Sequence, residues 1–590
     1  MHTELPIPQA FRALQLLAQS SAPRLSRVGP ADEITFALTW LAAARMVLKG
    51  AVPGAASLDD LAMPEGWQVL GKAGLDWAAV NRVMTEGKTG VAVLAQGVAV
   101  VKELVGYVGA QPWDVLPTLT SALMPLRWGD YIANSRVNEL MLDMLGEPEQ
   151  ELWIPFDRWG VLSIQALRRG WRVNAAPMLG PQAESTLSLL LAIEFGLPYS
   201  PRLDAEVARD LDGRPLTRAA FVLAQPPFGV SVPDTRLTQW ESEGGASARF
   251  ARSETWVVRE LLNRVSKKAV FLLPPGVLFT RGQELRLREY LLKSATGHKE
   301  LSAVVQLPGG ALSGTAIPCA VLVATPGQDN SSVLMVDLAQ SAQSRRVVGE
   351  LDELVLANRG IALGLAEDDE KACRVSPADI ARTECSFSPP RYLRKAVEVG
   401  PHAAPLEGFC EMVRAPALAV RDDVAQERLE LGPHEFDSWA PVGTGLEKVA
   451  RIRNRREIPT LLPGDVVVSI KGSVGKVGLV GDVAPDTVVV SQSCVALRIY
   501  PSHRGLVSPE FLLMYLRSEV GQAQLEALKE GAMVQHIGPR SLLESFLLPV
   551  PTDAVRAAVE ADYQQLCQLE QQVTDIKDQM RAIAGARWGV

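Results

Sequence analysis

The amino-acid sequence predicts a multidomain α/β protein, and three observations carry that expectation. Between about residue 150 and residue 393, short apolar runs of strand length alternate with stretches whose apolar side chains recur at helical spacing. Residues 462–498 are rich in Val, Ile and Gly, with a Pro-Gly-Asp turn leading into a strand-like run. After Pro551 the apolar residues Leu566, Leu569, Val573, Ile576, Met580 and Ile583 repeat at intervals of three and four, with no Gly or Pro until Gly585. A chain of 590 residues has length for about three to four domains, each able to bury its own core.

Residues 1–125 read as an N-terminal helical domain. Apolar helical stretches from Ile34 to Leu48 and from Val91 to Val108 are separated by Pro/Gly loops. Ala- and Leu-rich faces of this kind serve as core rather than as binding surface.

Residues 126–393 carry the strongest chemical signal. Phe221, Val222, Leu223 and Ala224 form a buried-strand run, followed directly by Gln225, Pro226, Pro227, Phe228 and Gly229. An exocyclic adenine amine is a poor nucleophile because its lone pair is delocalised into the ring. Acceptors on its N–H protons free that lone pair, and the Gln225 side-chain carbonyl with the backbone carbonyl of Pro226 could supply them. The two prolines would hold the acceptors rigidly, and Phe228 would stack on a base taken out of the duplex. The bland alternative is a tight Pro-Pro turn after an α/β strand.

The order of these residues resembles the catalytic loop of the amino-directed DNA methyltransferases, in which Asn or Asp usually stands where this chain has Gln225. Downstream lie a helical pattern around Trp256, Val257, Leu261 and Leu262, then Lys267 and Lys268, and an apolar strand leading to Pro274-Pro-Gly-Val-Leu-Phe279. A second helix from Gly282 to Lys293 precedes Ala303-Val-Val-Gln-Leu-Pro-Gly-Gly and the strand Ile317-Pro-Cys-Ala-Val-Leu-Val-Ala324. This set, continued by Val375-Ser-Pro-Ala-Asp-Ile380 and Ser388-Pro-Pro-Arg-Tyr-Leu393, resembles the modification (M) subunit of type I restriction-modification systems. The resemblance implies a class I S-adenosylmethionine-dependent, Rossmann-like methyltransferase domain acting on N6 of adenine. Its cofactor residues would be Asp157 and Gly160 in the turn Trp153-Ile-Pro-Phe-Asp-Arg-Trp-Gly160, Asn174 after the second strand, Asp210 near the adenine ring, and Tyr131 in Gly129-Asp-Tyr-Ile-Ala-Asn-Ser135. The turn has one glycine where the family has two or three, Asn174 replaces an acidic residue, and the family's Thr-Pro pair after the aromatic is missing.

Residues 394–440, with Pro401, Pro405, Pro416 and mixed charges, read as a linker passing into the first strand of the next domain. Residues 441–550 form an α+β domain. Lys448-Val-Ala-Arg-Ile-Arg-Asn-Arg-Arg456 places five cations in nine residues on a predicted strand or strand edge. Phosphate contact is the functional reading and a solvated charged edge the bland one. A Gly-rich hairpin comes next, carrying Lys471 and Lys476, without the spacing of a phosphate-binding loop. Together with Val490-Ser-Gln-Ser-Cys-Val-Ala-Leu-Arg498, the helix Ser508 to Leu516, Gly531-Ala-Met-Val-Gln-His-Ile537 and Leu547-Leu-Pro-Val-Pro551, it resembles the target-recognition domain of a type I specificity (S) subunit. That resemblance implies double-stranded DNA as partner, with Lys448, Arg451, Arg453, Arg455, Arg456, Lys471 and Lys476 as contacts. Residues 551–590 form a long terminal helix, expected either to pair with its copy in a homodimer or to pack within the chain.

Composition sets limits. The net charge of −8 confines nucleic-acid contact to local patches. The cysteines at 319, 373, 385, 410, 494 and 567 are scattered, without zinc spacing or a disulfide framework, so no metal is expected. No apolar run reaches the roughly 18 residues of a membrane helix, and the start shows no secretory pattern, so a cytoplasmic location is expected. The expected function is site-specific adenine N6 methylation in a restriction-modification or phage-defence system. Cleavage would need a separate nuclease or helicase subunit. The rival is a sequence-specific DNA-binding scaffold with an inactive methyltransferase fold, and RNA methylation would leave the C-terminal resemblance unexplained.

Overall fold

The computed structural model describes residues 6–21, 30–52, 57–86, 90–109, 111–123, 133–157, 159–175, 186–198, 219–231, 252–293, 300–312, 318–328, 330–339, 348–393, 399–400, 402–419, 425–453, 458–530 and 536–585. The chain divides into two compact units, Met1–Pro389 and Pro390–Val590.

Among the described residues the first unit opens with six α-helices: α1 (Pro6–Ser21), α2 (Pro30–Leu48), α3 (Pro64–Lys72), α4 (Ala78–Glu86), α5 (Gly90–Val108) and α6 (Leu116–Leu123). Helix α2 is apolar on nearly every side because its neighbours surround it; residues from Ile34 to Val47 are buried almost without interruption. Its Trp40 meets Trp67 edge-on, with ring centroids 4.8 Å apart. It also lies so close to α5 that a Cβ at Gly97 would sit 2.2 Å from the Trp40 ring. Helices α7 (Ser135–Leu145), α8 (Val161–Arg168) and α9 (Leu187–Phe195) come next along the chain. Buried Arg45 of α2 donates to the carbonyl of Ile193 on α9 at 3.2 Å, and its pKa is lowered by desolvation. One apolar core runs from α1 into a large β-sheet, so the helical region expected to end at residue 125 shares its core with that sheet.

Among the described residues the sheet has eight strands: β1 (Glu151–Trp153), β2 (Arg172–Asn174), β3 (Ala219–Ala224), β4 (Val265–Leu273), β5 (Leu301–Leu307), β6 (Cys319–Ala324), β7 (Val333–Asp337) and β8 (Ala372–Val375), in the order β2-β1-β3-β4-β6-β5-β7-β8. Strands β2, β1, β3 and β4 are mutually parallel, while β6 runs antiparallel between β4 and β5. Parallel central strands are covered on both faces, which explains their unbroken apolar runs such as Ala269 to Leu273. The strand order reverses direction at β1, whose neighbours are β2 on one side and β3 on the other. The C-terminal ends of β1 and β3 therefore flank a switch point, where open α/β sheets form a crevice.

In the second unit a four-stranded antiparallel sheet, β10 (Cys410–Arg414), β16 (Cys494–Ile499), β13 (Val466–Ser469) and β14 (Val477–Leu479), lies in that order. A three-stranded sheet has the order β12 (Val449–Arg453), β11 (Ala425–Leu431) and β15 (Val488–Val490). Two short pairs complete it: β9 (Ala403–Pro405) with β19 (Leu547–Pro549), and β17 (Lys529–Glu530) with β18 (His536–Ile537). Strand β13 is buried on both faces, Val466 and Val468 in one core and Val467 in another, so its run of valines shows no alternation. Asp465, in the turn before β13, receives two hydrogen bonds from Arg498 of β16, at 2.8 and 2.9 Å.

The expectation of a linker over 394–440 is corrected by β9, β10 and β11, all of which lie there and are integral to the unit. Their strand pairing comes from distant segments: β10 pairs with β16 and β11 with β12 and β15. Helix Asp553–Gly585 ends the described chain. Among the described residues, no helix is long and apolar enough to cross a membrane.

Candidate active site at the switch point and candidate nucleic-acid interface

Strand β3 delivers the loop Gln225–Gly229 to the switch point. Pro226 is buried, Gln225, Pro227 and Phe228 are half-buried, and Gly229 is exposed with φ of +70°. The loop is clamped by the start of the helix Ser253–Leu262. Ser253 Oγ donates to the carbonyl of Pro227 at 2.5 Å, the Gly229 N–H donates to the buried Glu254 carboxylate at 2.5 Å, and the Ser253 N–H donates to the carbonyl of Val230 at 2.8 Å. Proline φ restriction at two positions and these three bonds leave the backbone little freedom. Phe228 packs one side against the main core and keeps part of its ring exposed.

The Gln225 side chain is held as well. Its Nε2 donates to Asn138 Oδ1 on α7 at 2.8 Å, and Asn138 Nδ2 donates to Gln165 Oε1 on α8 at 2.8 Å. Gln165 Nε2 in turn donates to Ser135 Oγ at 2.7 Å. Sequence reasoning missed Asn138, Gln165, Ser253 and Glu254. The available signal was an amide on the inner face of each helix, next to Val137 and Leu140 in α7 and to Ile164 and Ala166 in α8.

On the other side of the switch point, the turn after β1 is closed. Asp157 Oδ2 accepts the N–H of Ser163 at 2.6 Å, and the Leu162 and Gly160 N–H groups also favour its charged form. Burial nevertheless pushes this carboxyl above the usual carboxylate range. Gly160 is left-handed with φ of +74°, and a Cβ there would lie 2.8 Å from Leu187 Cα, so the glycine is required by the approach of α9. Trp159 is buried and its carbonyl accepts from Thr186 Oγ1 at 2.7 Å. Asn174 is 2% exposed and donates to Glu151 Oε1 at 2.8 Å. Tyr131, Arg158 and Asp210 lie outside the described residues.

In the second unit, Ala450 and Ile452 of β12 point inward while Val449, Arg451 and Arg453 point outward, as strand alternation requires. Strand β12 is no open edge. Segment 417–419 pairs with it through Ala419 N–H to Arg451 carbonyl at 2.9 Å and Arg453 N–H to Ala417 carbonyl at 3.0 Å. Lys448 is paired with Glu430 at 2.7 Å and Lys476 with Asp437 at 2.6 Å, which reduces the positive field of both. Arg451 and Lys471 are exposed, and Lys471 lies on the hairpin beside His536. Arg455 and Arg456 lie outside the described residues.

A comparison with curated proteins found no match. Among solved structures, the methyltransferase subunit of a type I restriction-modification system from Streptococcus thermophilus is similar at 15% identity and a TM-score of 0.45, over 65% of this chain and 98% of that one. A modification subunit attributed to a type I restriction enzyme of Vibrio vulnificus is similar at 15% identity and a TM-score of 0.42, over 63% and 93%. The type IIG restriction endonuclease BpuSI is similar at 12% identity and a TM-score of 0.47, over 94% of this chain and 75% of that one. Superpositions this loose carry no functional argument. Residues 208–399, which contain strands β3 to β8, the Gln225–Gly229 loop and its clamp at Ser253 and Glu254 but not β1 and β2, match the family model described as N-6 DNA Methylase.

Proposed function

We propose that the chain is a site-specific DNA methyltransferase of a restriction-modification or phage-defence system, acting on N6 of adenine with S-adenosylmethionine as methyl donor. The observation that carries the reading is the immobilised loop at the end of β3, within the segment matched by the N-6 DNA methylase model. Adenine turned out of the duplex would place its amine against Gln225 and the Pro226 carbonyl and its ring against Phe228. With both N–H protons engaged, the nitrogen lone pair is available for attack on an electron-poor methyl group. Ser253 and Glu254 hold the loop through the Pro227 carbonyl and the Gly229 N–H.

S-adenosylmethionine supplies that methyl group in enzymes of this class. Among the described residues, the turn after β1 does not offer the bare backbone its methionine half requires. Leu187 fills the open side of Gly160, Asp157 serves the start of α8, and Asn174 is turned to Glu151. These observations favour a second reading, a DNA-binding scaffold that keeps the amine-binding loop without methyl transfer. Incubating the chain with isotopically labelled S-adenosylmethionine and mixed-sequence duplex DNA separates the two. Labelled N6-methyladenine in the digested DNA is expected. No transfer, with no binding of the donor up to millimolar concentration, would select the scaffold.

Sequence reading is proposed for residues 441–550, a recognition domain like that of a specificity subunit, and dimerisation for the terminal helix. Reversing Arg451 and Arg453 to Glu is expected to weaken binding to any duplex by a similar factor. The slope of log affinity against log salt should fall by about 1 for each phosphate that is no longer neutralised. Fluorescence anisotropy at several salt concentrations reads both. Loss confined to one sequence would make these arginines readers of bases instead.

A further inference from the structure

We infer that Asn138 and Gln165 are positioning residues that fix which end of the Gln225 amide faces the substrate. The inference rests on the amine-binding reading of the loop and deepens it. A glutamine amide has a carbonyl end that accepts and an NH2 end that donates, and only the carbonyl end suits an adenine amine. Free to rotate about its last bond, the side chain would present both ends.

The polarity of the relay is set at its far end. Gln165 Nε2 lies 3.3 Å from the backbone carbonyl of Ser135 as well as 2.7 Å from its Oγ. A backbone carbonyl only accepts, so the NH2 end of Gln165 must face Ser135 and its carbonyl must face Asn138. Asn138 then has to turn its NH2 to Gln165 and its carbonyl to Gln225, at 2.8 Å in each case. Gln225 must in turn give its NH2 to Asn138, which leaves its carbonyl as the end available to a ligand. Asn138 is 1% and Gln165 7% exposed, so flipping any one amide would leave like ends facing each other away from water, at a cost of about 1–3 kcal/mol for each unsatisfied group.

The probe is a single-stranded 15-mer containing one deoxyadenosine, compared with the same strand carrying purine deoxyriboside, which lacks only the amine. A single strand avoids the cost of base flipping, and the measurement needs no methyl donor. Wild type is expected to prefer the adenine strand by about three- to tenfold, the value of one net hydrogen bond. Asn138→Ala should reduce the preference towards the part the Pro226 carbonyl supplies, while leaving affinity for the purine strand unchanged. Asn138→Asp keeps an acceptor towards Gln225 and should retain the preference at reduced thermal stability, because its second oxygen then faces the Gln165 carbonyl. Gln165→Met provides a second route, since an unanchored Asn138 can turn over, and it should reduce the preference even if Asn138→Ala does not fold. A preference unchanged in Asn138→Ala and Gln165→Met overturns the relay. Equal loss of affinity for both strands also overturns it, by making the amides structural. A wild type without preference would overturn the amine-binding reading itself, a result distinct from either.

Discussion

Gln225→Ala is expected to lower methyl transfer to duplex DNA by roughly 100- to 1000-fold, the cost typical of removing one preorganised polar group from the charge that develops in a transition state. On the proposed reading the adenine nitrogen would gain positive character as it attacks, and the Gln225 carbonyl would be the side-chain acceptor that meets it. Because Gln225 is half-buried and, among the described residues, its side chain makes one hydrogen bond, to Asn138, the melting temperature should fall by only a few degrees at most. Phe228→Ala should act differently, weakening substrate capture through the roughly 1–3 kcal/mol of base stacking removed and so raising KM. Initial rates with labelled donor, read beside thermal melts, distinguish these effects. Equal losses of activity and stability in both variants would make the loop a structural turn.

The second large effect concerns assembly. Helix Asp553–Gly585 is anchored along its first half, where Tyr563 is 2% exposed and Glu570 accepts from Ser438 Oγ and from the N–H groups of Trp439 and Ala440, at 2.8, 2.7 and 3.1 Å. Beyond this point the seam is exposed among the described residues: Val573, Ile576, Met580 and Ile583 are 49%, 55%, 64% and 76% exposed. A continuous apolar stripe of this length favours a partner helix, and a second copy is the proposed one. Leu569→Asp with Ile576→Asp would place two charges in the paired seam on each chain, and should convert a dimer to a monomer at a cost of several kcal/mol. Multi-angle light scattering on wild type and variant reads the mass directly. A wild-type monomer at all practical concentrations, with or without DNA, would exclude self-pairing.

Much of the architecture was legible because its signals are local. The run Phe221 to Ala224 ends at Gln225-Pro-Pro-Phe-Gly, and β3 ends there. The Pro-Gly-Asp turn at 463–465 enters β13, and the unbroken helical pattern after Pro551 becomes the helix beginning at Asp553. The 394–440 stretch misled for the opposite reason. Strand β11 is half-exposed along most of its length, so its apolar pattern is weak, and the partners that make it a strand lie on segments beginning at Val449 and Val488.

The sequence by itself determined the mixed α/β character of the chain, the amide-Pro-Pro-aromatic loop and its position at the end of a buried strand, because periodicity, turn residues and a short motif are written in neighbouring positions. Only the tertiary structure decided that Asn138 and Gln165, 87 and 60 residues before Gln225, face it in one relay, that Glu254 holds Gly229, and that Leu187 closes the turn at Gly160. Those contacts arise from how helices pack on a sheet, and a buried amide reveals its partner only when the packing brings the two within hydrogen-bond distance.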